Sequence, residues 1–347
     1  MEIDLELLKK LTNACAVSGD EEAVRQIVLA EIEGYADEIR TDAMGNVLVT
    51  KLGTGPAPRL RVMVAAHMDE VGFMLTGDDG DGLFRFETVG GLDERQLVGK
   101  PVLVGADEIP GVIGAKPIHL TTVSERKKSI PIDSLRIDIG TSNGSNAKPG
   151  DRATFATRFE RIGESLRAKA IDDRIGVTNL IALLKKTPPN IDLLAAFTVQ
   201  EEVGLRGAGV AAYAFDPDLA IVLDSTPAND LPAWDGEENT RYNTRLGAGP
   251  AIYVADAATL SHPRLIAHLC ATAKAESIPY QIRQPGGGGT DAGAIHRQRA
   301  GIPSVSVSIP TRYIHTAAAI CRISDWENTV NLLHKALENL NVETLAG

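Results

Sequence analysis

Apolar residues recur along the chain at two spacings, which separate predicted helices from predicted strands. Helical spacing indicates helices within four segments: 4–33, 169–184, 261–276 and 324–340. Apolar runs or strict alternation predict buried strands in four others: 59–66, 193–199, 219–224 and 302–309. Because these helices and strands alternate, the sequence predicts an α/β fold around an open sheet.

The stretch from 72 to 163 has a different pattern of apolar and turn-forming residues. Short β-like runs alternate there with Gly, Asp and Pro turns, and no long helical pattern occurs. We therefore expect a small all-β unit inserted after the strand at 59–66, with 1–71 and 164–347 forming the main domain. A polar segment, 121–129, follows His119, which we interpret as structural or at a substrate edge, not as a metal ligand.

Composition narrows the classes of function. The 347-residue chain is 44% apolar and carries a formal net charge of −11, which argues against nucleic acid as a partner. No apolar run approaches the roughly 20 residues of a membrane span, and the acidic start does not resemble a signal peptide. Cys15, Cys270 and Cys321 are too far apart for a metal-spaced pair or a disulfide framework, so we expect a cytoplasmic protein in which any metal is held by His and carboxylates.

The segment 198–208 (Thr-Val-Gln-Glu-Glu-Val-Gly-Leu-Arg-Gly-Ala) is the centre of the functional prediction. It follows a buried strand and places Glu201 and Glu202 side by side before glycines. Neighbouring carboxylates point in different directions, so one can bind a metal while the other takes a proton from water. Taken alone, such a pair is more often a solvated acidic turn.

Other candidate metal ligands also lie at the ends of predicted strands or at the start of a predicted helix. His67 and Asp224 end predicted strands, His315 follows the last strand, and Asp172 opens a helix beside Asp173. A lone histidine is more often structural, and paired acids also suit a helix N-terminus. In open α/β sheets, however, strand ends and helix starts line the functional crevice. Two histidines and three carboxylates exceed one tetrahedral zinc site, and they suit two metals that share a carboxylate.

Two turn segments, 18–22 and 285–289, support more limited predictions. The break at 18–22 predicts a helix N-terminus with Ser18 or Asp20 as its cap. The glycine-rich run at 285–289 indicates close approach of the backbone to a ligand, although a flexible turn capped by Thr290 or Asp291 is an equal alternative. It lacks the Gly-Lys-Ser/Thr of a phosphate loop.

Five motifs in order resemble the tetrahedral (TET) aminopeptidase family, which includes glutamyl and deblocking aminopeptidases. They are His-Met-Asp-Glu-Val-Gly-Phe from 67, Ala-Ile-Asp-Asp-Arg-Ile-Gly from 170, the segment 198–208, Val-Leu-Asp-Ser-Thr from 222 and Arg-Tyr-Ile-His-Thr from 312. The resemblance extends over nearly the whole chain. One departure follows His315, where Thr-Ala-Ala-Ala-Ile-Cys replaces the Ser-Pro-type sequence often found there.

The resemblance implies a mixed-sheet, three-layer α/β/α metallopeptidase domain (1–71 and 164–347) with an inserted, barrel-like dimerisation domain (72–163). It also implies a homo-oligomer in which dimers assemble to a dodecamer. The segment 121–129 would reach towards a neighbouring active site.

The same resemblance assigns roles to the candidate residues. Asp172 would bridge two divalent ions, Zn²⁺ or Co²⁺. The remaining metal ligands would form two pairs: His67 with Asp224, and Glu202 with His315. The catalytic residues would be Glu201, as general base and acid, and Asp69, which would orient His67; Asp173 would support the turn.

The predicted function is a metalloaminopeptidase that removes N-terminal residues from short peptides with a free N-terminus. A metal-bridging water would lose a proton to Glu201 and attack the scissile carbonyl. The alternatives are a deblocking enzyme, deacylase, carboxypeptidase or glycosidase that uses the same crevice, and a non-catalytic assembly protein of the same fold. A glycosidase would need a metal-free carboxylate pair. The sequence does not predict the preferred N-terminal side chain.

Overall fold

The computed structural model describes residues 1–141, 145–233, 243–284 and 287–345. Residues 285–286, which belong to the predicted glycine-rich run, lie outside this description, as do residues 142–144, 234–242 and 346–347.

Seven α-helices form within the described ranges. They are α1 (Leu5–Asn13), α2 (Glu22–Ile32), α3 (Ile171–Lys185), α4 (Arg206–Phe215), α5 (Pro263–Ala275), α6 (Ala292–Ile295) and α7 (Ile323–Glu338). Single 3₁₀ turns occur at Glu94–Gln96, Ile118–Leu120, Glu125–Lys127, Ile132–Ser134 and Val342–Thr344. A search of the described residues finds no helix with the length and apolar character needed to cross a membrane.

The strands divide into one large sheet and one barrel. In chain order they are β1 (Glu38–Thr41), β2 (Val47–Lys51), β3 (Leu60–His67), β4 (Gly72–Asp78), β5 (Leu83–Val89), β6 (Pro101–Val104), β7 (Ile109–Gly114), β8 (Arg136–Asp138), β9 (Arg152–Phe155), β10 (Glu160–Ile162), β11 (Ser165–Ala168), β12 (Ile191–Thr198), β13 (Leu219–Pro227), β14 (Ala251–Ile252), β15 (Gln281–Ile282), β16 (Ser304–Arg312) and β17 (Ala319–Arg322).

The large sheet is mixed. Its main path runs β1-β2-β12-β3-β13-β16-β17-β11-β10, and the short strands β14 and β15 join it at β16. The central strands β12, β3, β13 and β16 are parallel to one another, whereas the strands that flank them pair antiparallel. The carboxyl ends of the four central strands therefore meet at one edge, where the crevice of an open α/β sheet forms.

Alternating side chains of the central strands supply two apolar layers. Val62 and Val64 of β3 pack with residues of α2, α3, α5 and α7 on one face, whereas Met63 and Ala65 pack with α4 and α6 on the other. This alternation follows from the two-residue period of a strand. The predicted three-layer α/β/α architecture is confirmed.

The inserted strands form a closed antiparallel barrel in the order β4-β5-β8-β7-β6-β9. Phe73 lies in its core, with edge-to-face contacts to Phe86 and Phe155 at centroid distances of 5.3 and 5.2 Å. The predicted small all-β unit is thus a barrel. Its strands run from Gly72 to Phe155, and β10, at Glu160–Ile162, pairs with β11 of the large sheet. The boundary at 163 stays a prediction.

The predicted cap of the second helix is wrong. The residue that precedes α2 is Glu21, and no side chain caps its N-terminus. Ser18 lies at the end of a short parallel bridge between Val17 and Glu70, so its hydroxyl faces the end of β3 instead of the helix.

Candidate active site

The five predicted metal ligands meet at the carboxyl edge of the parallel strands. His67 is the last residue of β3, Asp224 lies near the end of β13, and Glu202 follows β12. Asp172 stands at the start of α3, where Asp172 and Asp173 have non-helical backbone angles. His315 follows β16 with a positive φ of 57°. Sequence-distant residues converge here because parallel strands end together.

Asp172 lies between the two histidines. Its Oδ1 is 3.3 Å from His67 Nε2, and its Oδ2 is 3.3 Å from His315 Nε2. The other two carboxylates divide between these histidines: Asp224 Oδ1 is 3.9 Å from His67 Nε2, and Glu202 Oε2 is 3.1 Å from His315 Nε2. The structure thus places one carboxylate centrally, with a His–carboxylate pair on each side.

Both imidazoles are held through their other ring nitrogen. His67 Nδ1 lies 3.1 Å from the Asp69 carbonyl oxygen, and His315 Nδ1 lies 3.0 Å from the Gly91 carbonyl oxygen. Carbonyl oxygens only accept hydrogen bonds, so each Nδ1 is the donor and a neutral imidazole directs its Nε2 lone pair at the carboxylates. Two acceptors at this distance need a proton or a cation between them.

The pKa values of the two histidines also indicate that a positive charge is needed between the imidazoles and the carboxylates. Burial lowers the pKa of His315, but hydrogen bonds to Asp172 and Glu202 outweigh it and raise the pKa to about 11. Burial likewise opposes the charged form of His67, and hydrogen bonds to Asp172 and Asp69 still raise its pKa well above the usual range. Without a cation, protons hold the site together.

The positions of the carboxylate oxygens and the imidazole nitrogens also suit a bound metal ion. Ligand atoms of His67, Asp172 and Glu202 lie within 4.8 Å of one another, and so do those of Asp172, Asp173 and Asp224. Among described residues, buried Glu202 Oε1 and Asp173 Oδ2 have no hydrogen-bond partner. Imidazole and carboxylate together suit ions such as Zn²⁺ or Co²⁺. Asp173 also accepts a hydrogen bond from the Gly176 N–H at 3.1 Å, which supports the first helical turn.

Asp69 connects the end of β3 to the two glutamates. Its Oδ1 accepts from the Glu201 N–H at 3.0 Å, and its Oδ2 accepts from the Glu202 N–H at 3.2 Å. The Ser18 hydroxyl donates to the same Oδ2 at 2.5 Å. Asp69 Oδ1 is 3.5 Å from His67 Nδ1, farther than the backbone carbonyl oxygen. The carboxylate therefore orders the Glu201–Glu202 backbone as directly as it contacts the histidine.

Glu201 is a buried carboxyl beside this cluster. Its residue is 8% exposed, and it lines the cavity together with Asp172, Glu202 and Asp224. Burial raises the pKa of Glu201 well above its usual range; the positive charge of His67 opposes this, while Asp291 and Glu202 add to it. Such a group is a candidate general base, because a carboxyl whose surroundings raise its pKa can take up a proton and return it.

Sequence reasoning did not identify Asp291 as a partner of Thr198. Thr198 donates to Asp291 Oδ2 at 2.5 Å, and burial raises the pKa of Asp291 to about 6. The predicted capping alternative is wrong for both candidates, because no side chain caps α6 and Thr290 contacts the Ser306 hydroxyl at 2.7 Å.

A cavity of about 600 Å³ opens beside the cluster. Its walls include Tyr253, Arg283 and Gly287–Gly289 as well as the acidic residues. Neither Tyr253 nor Arg283 was predicted from sequence, and no motif identifies them. The glycine-rich segment was predicted to approach a ligand, and its described residues do line this cavity. His119 lies exposed on the barrel and does not line it.

The three-layer fold, the inserted barrel and the acidic cluster define an α/β protein with a candidate metal centre at the carboxyl edge of its sheet. Residues 45–332 match the M42 glutamyl aminopeptidase family, and the chain belongs to that family. Its class of activity is therefore the removal of residues from the amino ends of peptides. The family resemblance inferred from the five motifs is confirmed.

Known relatives match over almost their entire length. A TET aminopeptidase from the marine sediment archaeon Thaumarchaeota archaeon SCGC AB-539-E09 is 36% identical, with a TM-score of 0.92 and 98% of each chain covered. The TET1 peptidase of Pyrococcus horikoshii, which can assemble into a tetrahedron or a large octahedral shell, is 34% identical, with a TM-score of 0.84, 97% of this chain and 99% of that chain covered. A lysyl aminopeptidase of Pyrococcus furiosus is 33% identical over 97% of this chain and 98% of its own length.

Proposed function

We propose that this protein is a cytoplasmic, metal-dependent aminopeptidase that releases the first residue of short peptides with a free N-terminus. The observation that carries the proposal is the position of the buried Glu201 carboxyl in one cavity with Asp172, Glu202, Asp224 and His315. A general base beside a cluster of metal-ligand type is the arrangement that metal-assisted peptide hydrolysis requires.

Two divalent ions, Zn²⁺ or Co²⁺, would be held with Asp172 shared between them. His67 and Asp224 would complete one site, and Glu202 and His315 the other; the distances around Asp172 support this division. Bound there, the ions would supply Lewis-acid chemistry, which activates water and stabilises developing negative charge.

Glu201 would move the proton. As a carboxylate it takes a proton from the attacking water, and as a carboxylic acid it returns that proton to the nitrogen of the leaving amine. Asp69 would be a positioning residue, because it accepts hydrogen bonds from both the Glu201 and Glu202 N–H groups. With its backbone fixed, Glu201 can face the scissile bond while Glu202 faces His315.

Hydrolysis of one short peptide in two forms tests this function. The free and N-acetylated peptides are incubated with protein loaded with Zn²⁺ or Co²⁺, and again after chelation. We expect release of the first residue from the free peptide only, and only with metal. Cleavage of the acetylated peptide would favour a deblocking enzyme or deacylase, and equal cleavage after chelation would contradict metal dependence.

We also propose that the protein is a homo-oligomer, built from dimers and able to form a dodecamer, with the insertion 72–163 supplying subunit contacts. Ile118, Leu120 and Val123 of the barrel are 69%, 60% and 68% exposed. Clustered exposed apolar side chains mark surfaces that associate. The assembly of the related TET1 peptidase supports the same conclusion.

Mass photometry of the native chain and of an Ile118→Glu, Leu120→Glu variant tests the assembly. We expect a large, closed oligomer for the native chain and smaller species for the variant. A monomeric native chain would contradict the proposal. Charge reversal at exposed Lys9 of α1 is the control and should leave the mass unchanged.

A further inference from the structure

Arg283 is a buried cation in the wall of the candidate active site. It follows β15, its residue is 5% exposed, and its guanidinium stacks on the Tyr253 ring at 4.6 Å. Nε donates to Thr226 Oγ1 at 3.2 Å, and one terminal nitrogen, Nη2, donates to the Gly287 carbonyl oxygen at 2.8 Å. These contacts fix the plane of the guanidinium.

The second terminal nitrogen, Nη1, is buried and has no hydrogen-bond partner among the residues that the structure describes. A buried donor on a charged group is costly when it is left unsatisfied. Arg283 also lines the cavity of about 600 Å³ that contains Glu201. An anionic ligand in that cavity would satisfy Nη1 with a charge-assisted hydrogen bond.

The position of Thr226 sets the distance between Arg283 and the reaction site. Thr226 and Asp224 are alternate residues of β13, so their side chains extend from the same face, roughly 6–7 Å apart along the strand. The guanidinium that bonds Thr226 therefore lies about one amino-acid side chain away from the metal-ligand cluster. That separation suits the side chain of the residue whose peptide bond is cleaved.

The charges of the cavity are divided between its two ends. The carboxylates of Asp172, Glu201, Glu202 and Asp224 stand at the reacting end. Within the part of the chain that the structure describes, Arg283 is the only arginine or lysine that lines the cavity. The charge of Arg283 therefore favours an acidic side chain at its end of the cavity and disfavours a basic one.

We propose that Arg283 is a specificity-determining residue that binds the side-chain carboxylate of an N-terminal glutamate or aspartate. This inference rests on the proposed aminopeptidase function and names its substrate class. Arg283 makes no contact with the scissile bond in this account. Its role is to discriminate a charged carboxylate from a neutral group of the same shape.

The test compares arylamides of glutamate and glutamine, which have a free α-amino group and no C-terminal carboxylate. For the metal-loaded native protein, we expect kcat/KM for the glutamyl compound to exceed that for the glutaminyl compound by roughly 10- to 100-fold, the range of a hydrogen bond to a charged group. In Arg283→Met the ratio should fall to within about threefold of one, because its only charged partner is gone. The ratio of the two kcat/KM values does not change when a variant loses turnover equally on both compounds.

Two further variants sharpen the test. Arg283→Lys keeps a positive charge and should retain part of the preference for the glutamyl compound. Arg299 is the matched control, since its guanidinium also stacks on a tyrosine, Tyr213, at 3.7 Å but lies on the surface. Arg299→Met should keep the native ratio.

A native ratio near one, with other aminoacyl arylamides hydrolysed, would overturn the Arg283 inference and leave the proposed function standing. An Arg283→Met ratio equal to the native ratio would also overturn it. If Arg283→Met instead changes the preference for Leu-Ala over its C-terminal amide, Arg283 binds the peptide's terminal carboxylate, and the side-chain proposal is wrong. Failure to hydrolyse any free aminoacyl arylamide or peptide would contradict the aminopeptidase function itself.

Discussion

Two buried clusters of charged residues are built from neighbouring parts of the chain, one around Glu70 and the other around Asp172. They differ in whether their negative charges have positive partners. In the first, Glu70 accepts from Lys169 Nζ at 2.8 Å and from Arg174 Nη2 at 3.2 Å, and its oxygens also bond Thr154 and the Ala16 N–H. In the second, around Asp172, carboxylates outnumber histidines and two buried oxygens lack partners among described residues. The first is a closed ion network, and the second is completed only by added cations or protons.

The contrast separates a structural cluster from a functional one. Burial raises the pKa of Glu70, but Lys169 and Arg174 outweigh it and hold the pKa below the usual value. Burial raises the pKa of Asp224 well above the usual value, and the negative charges of Asp172 and Asp173 add to that shift. A buried carboxylate with its own counter-charges is a structural part of the fold, because its removal leaves those charges buried and uncompensated. A buried carboxylate without counter-charges is available for binding or proton transfer.

The largest effect on stability should come from the closed network. Glu70→Gln leaves Lys169 and Arg174 buried without a counter-charge, so we expect the free energy of unfolding to fall by about 3–5 kcal/mol. Urea unfolding measures it. Glu160→Gln is the control, because Glu160 pairs with Arg167 at 2.8 Å in an exposed position, where a loss of at most about 1 kcal/mol is expected. Equal losses in the two variants would contradict the distinction.

A pH-dependent effect of about 3 kcal/mol should come from Asp291 in metal-free protein. Burial raises its pKa from 3.8 to about 6, roughly two units at 1.36 kcal/mol each. The stability contributed by protonated Asp291 is fully present below about pH 4 and is lost as the pH rises through about 6. The unfolding free energy of the native chain, relative to Asp291→Asn, should therefore fall between pH 4 and pH 7. A constant difference across this range would show that Asp291 does not titrate as described.

Metal loading should stabilise the protein through the second cluster, around Asp172. At free Zn²⁺ or Co²⁺ 100-fold above the dissociation constant, the expected gain is about 2.7 kcal/mol for each bound ion, since the ions bind the folded state alone. Thermal unfolding with and without metal measures it. Asp172→Asn removes the central carboxylate and should lose most of the gain, whereas Asp20→Asn, at an exposed loop position, should keep it. An equal gain in both variants would place the bound ion elsewhere.

The sequence indicated the site better than it indicated the supporting contacts. His67 and Asp224 were predictable because apolar runs locate strand ends, and parallel strands bring those ends together. Ser18 was not, since its cap-like context gives no sign that the chain crosses to Asp69. Arg283 follows a two-residue strand and precedes a glycine-rich run, neither of which has a periodicity that directs a side chain. The barrel's strand order depends on pairings between distant segments, which local patterns do not specify.

The most direct test of the central claim is the turnover of Glu201→Gln at known metal content. The substitution keeps the size of the side chain and removes the base, so we predict native metal content and a loss of roughly 10²- to 10⁴-fold in kcat on a peptide with a free N-terminus. Glu327→Gln, an exposed position on α7, should leave both unchanged. Near-native turnover by Glu201→Gln with its metals bound would contradict the assignment of Glu201 as the general base.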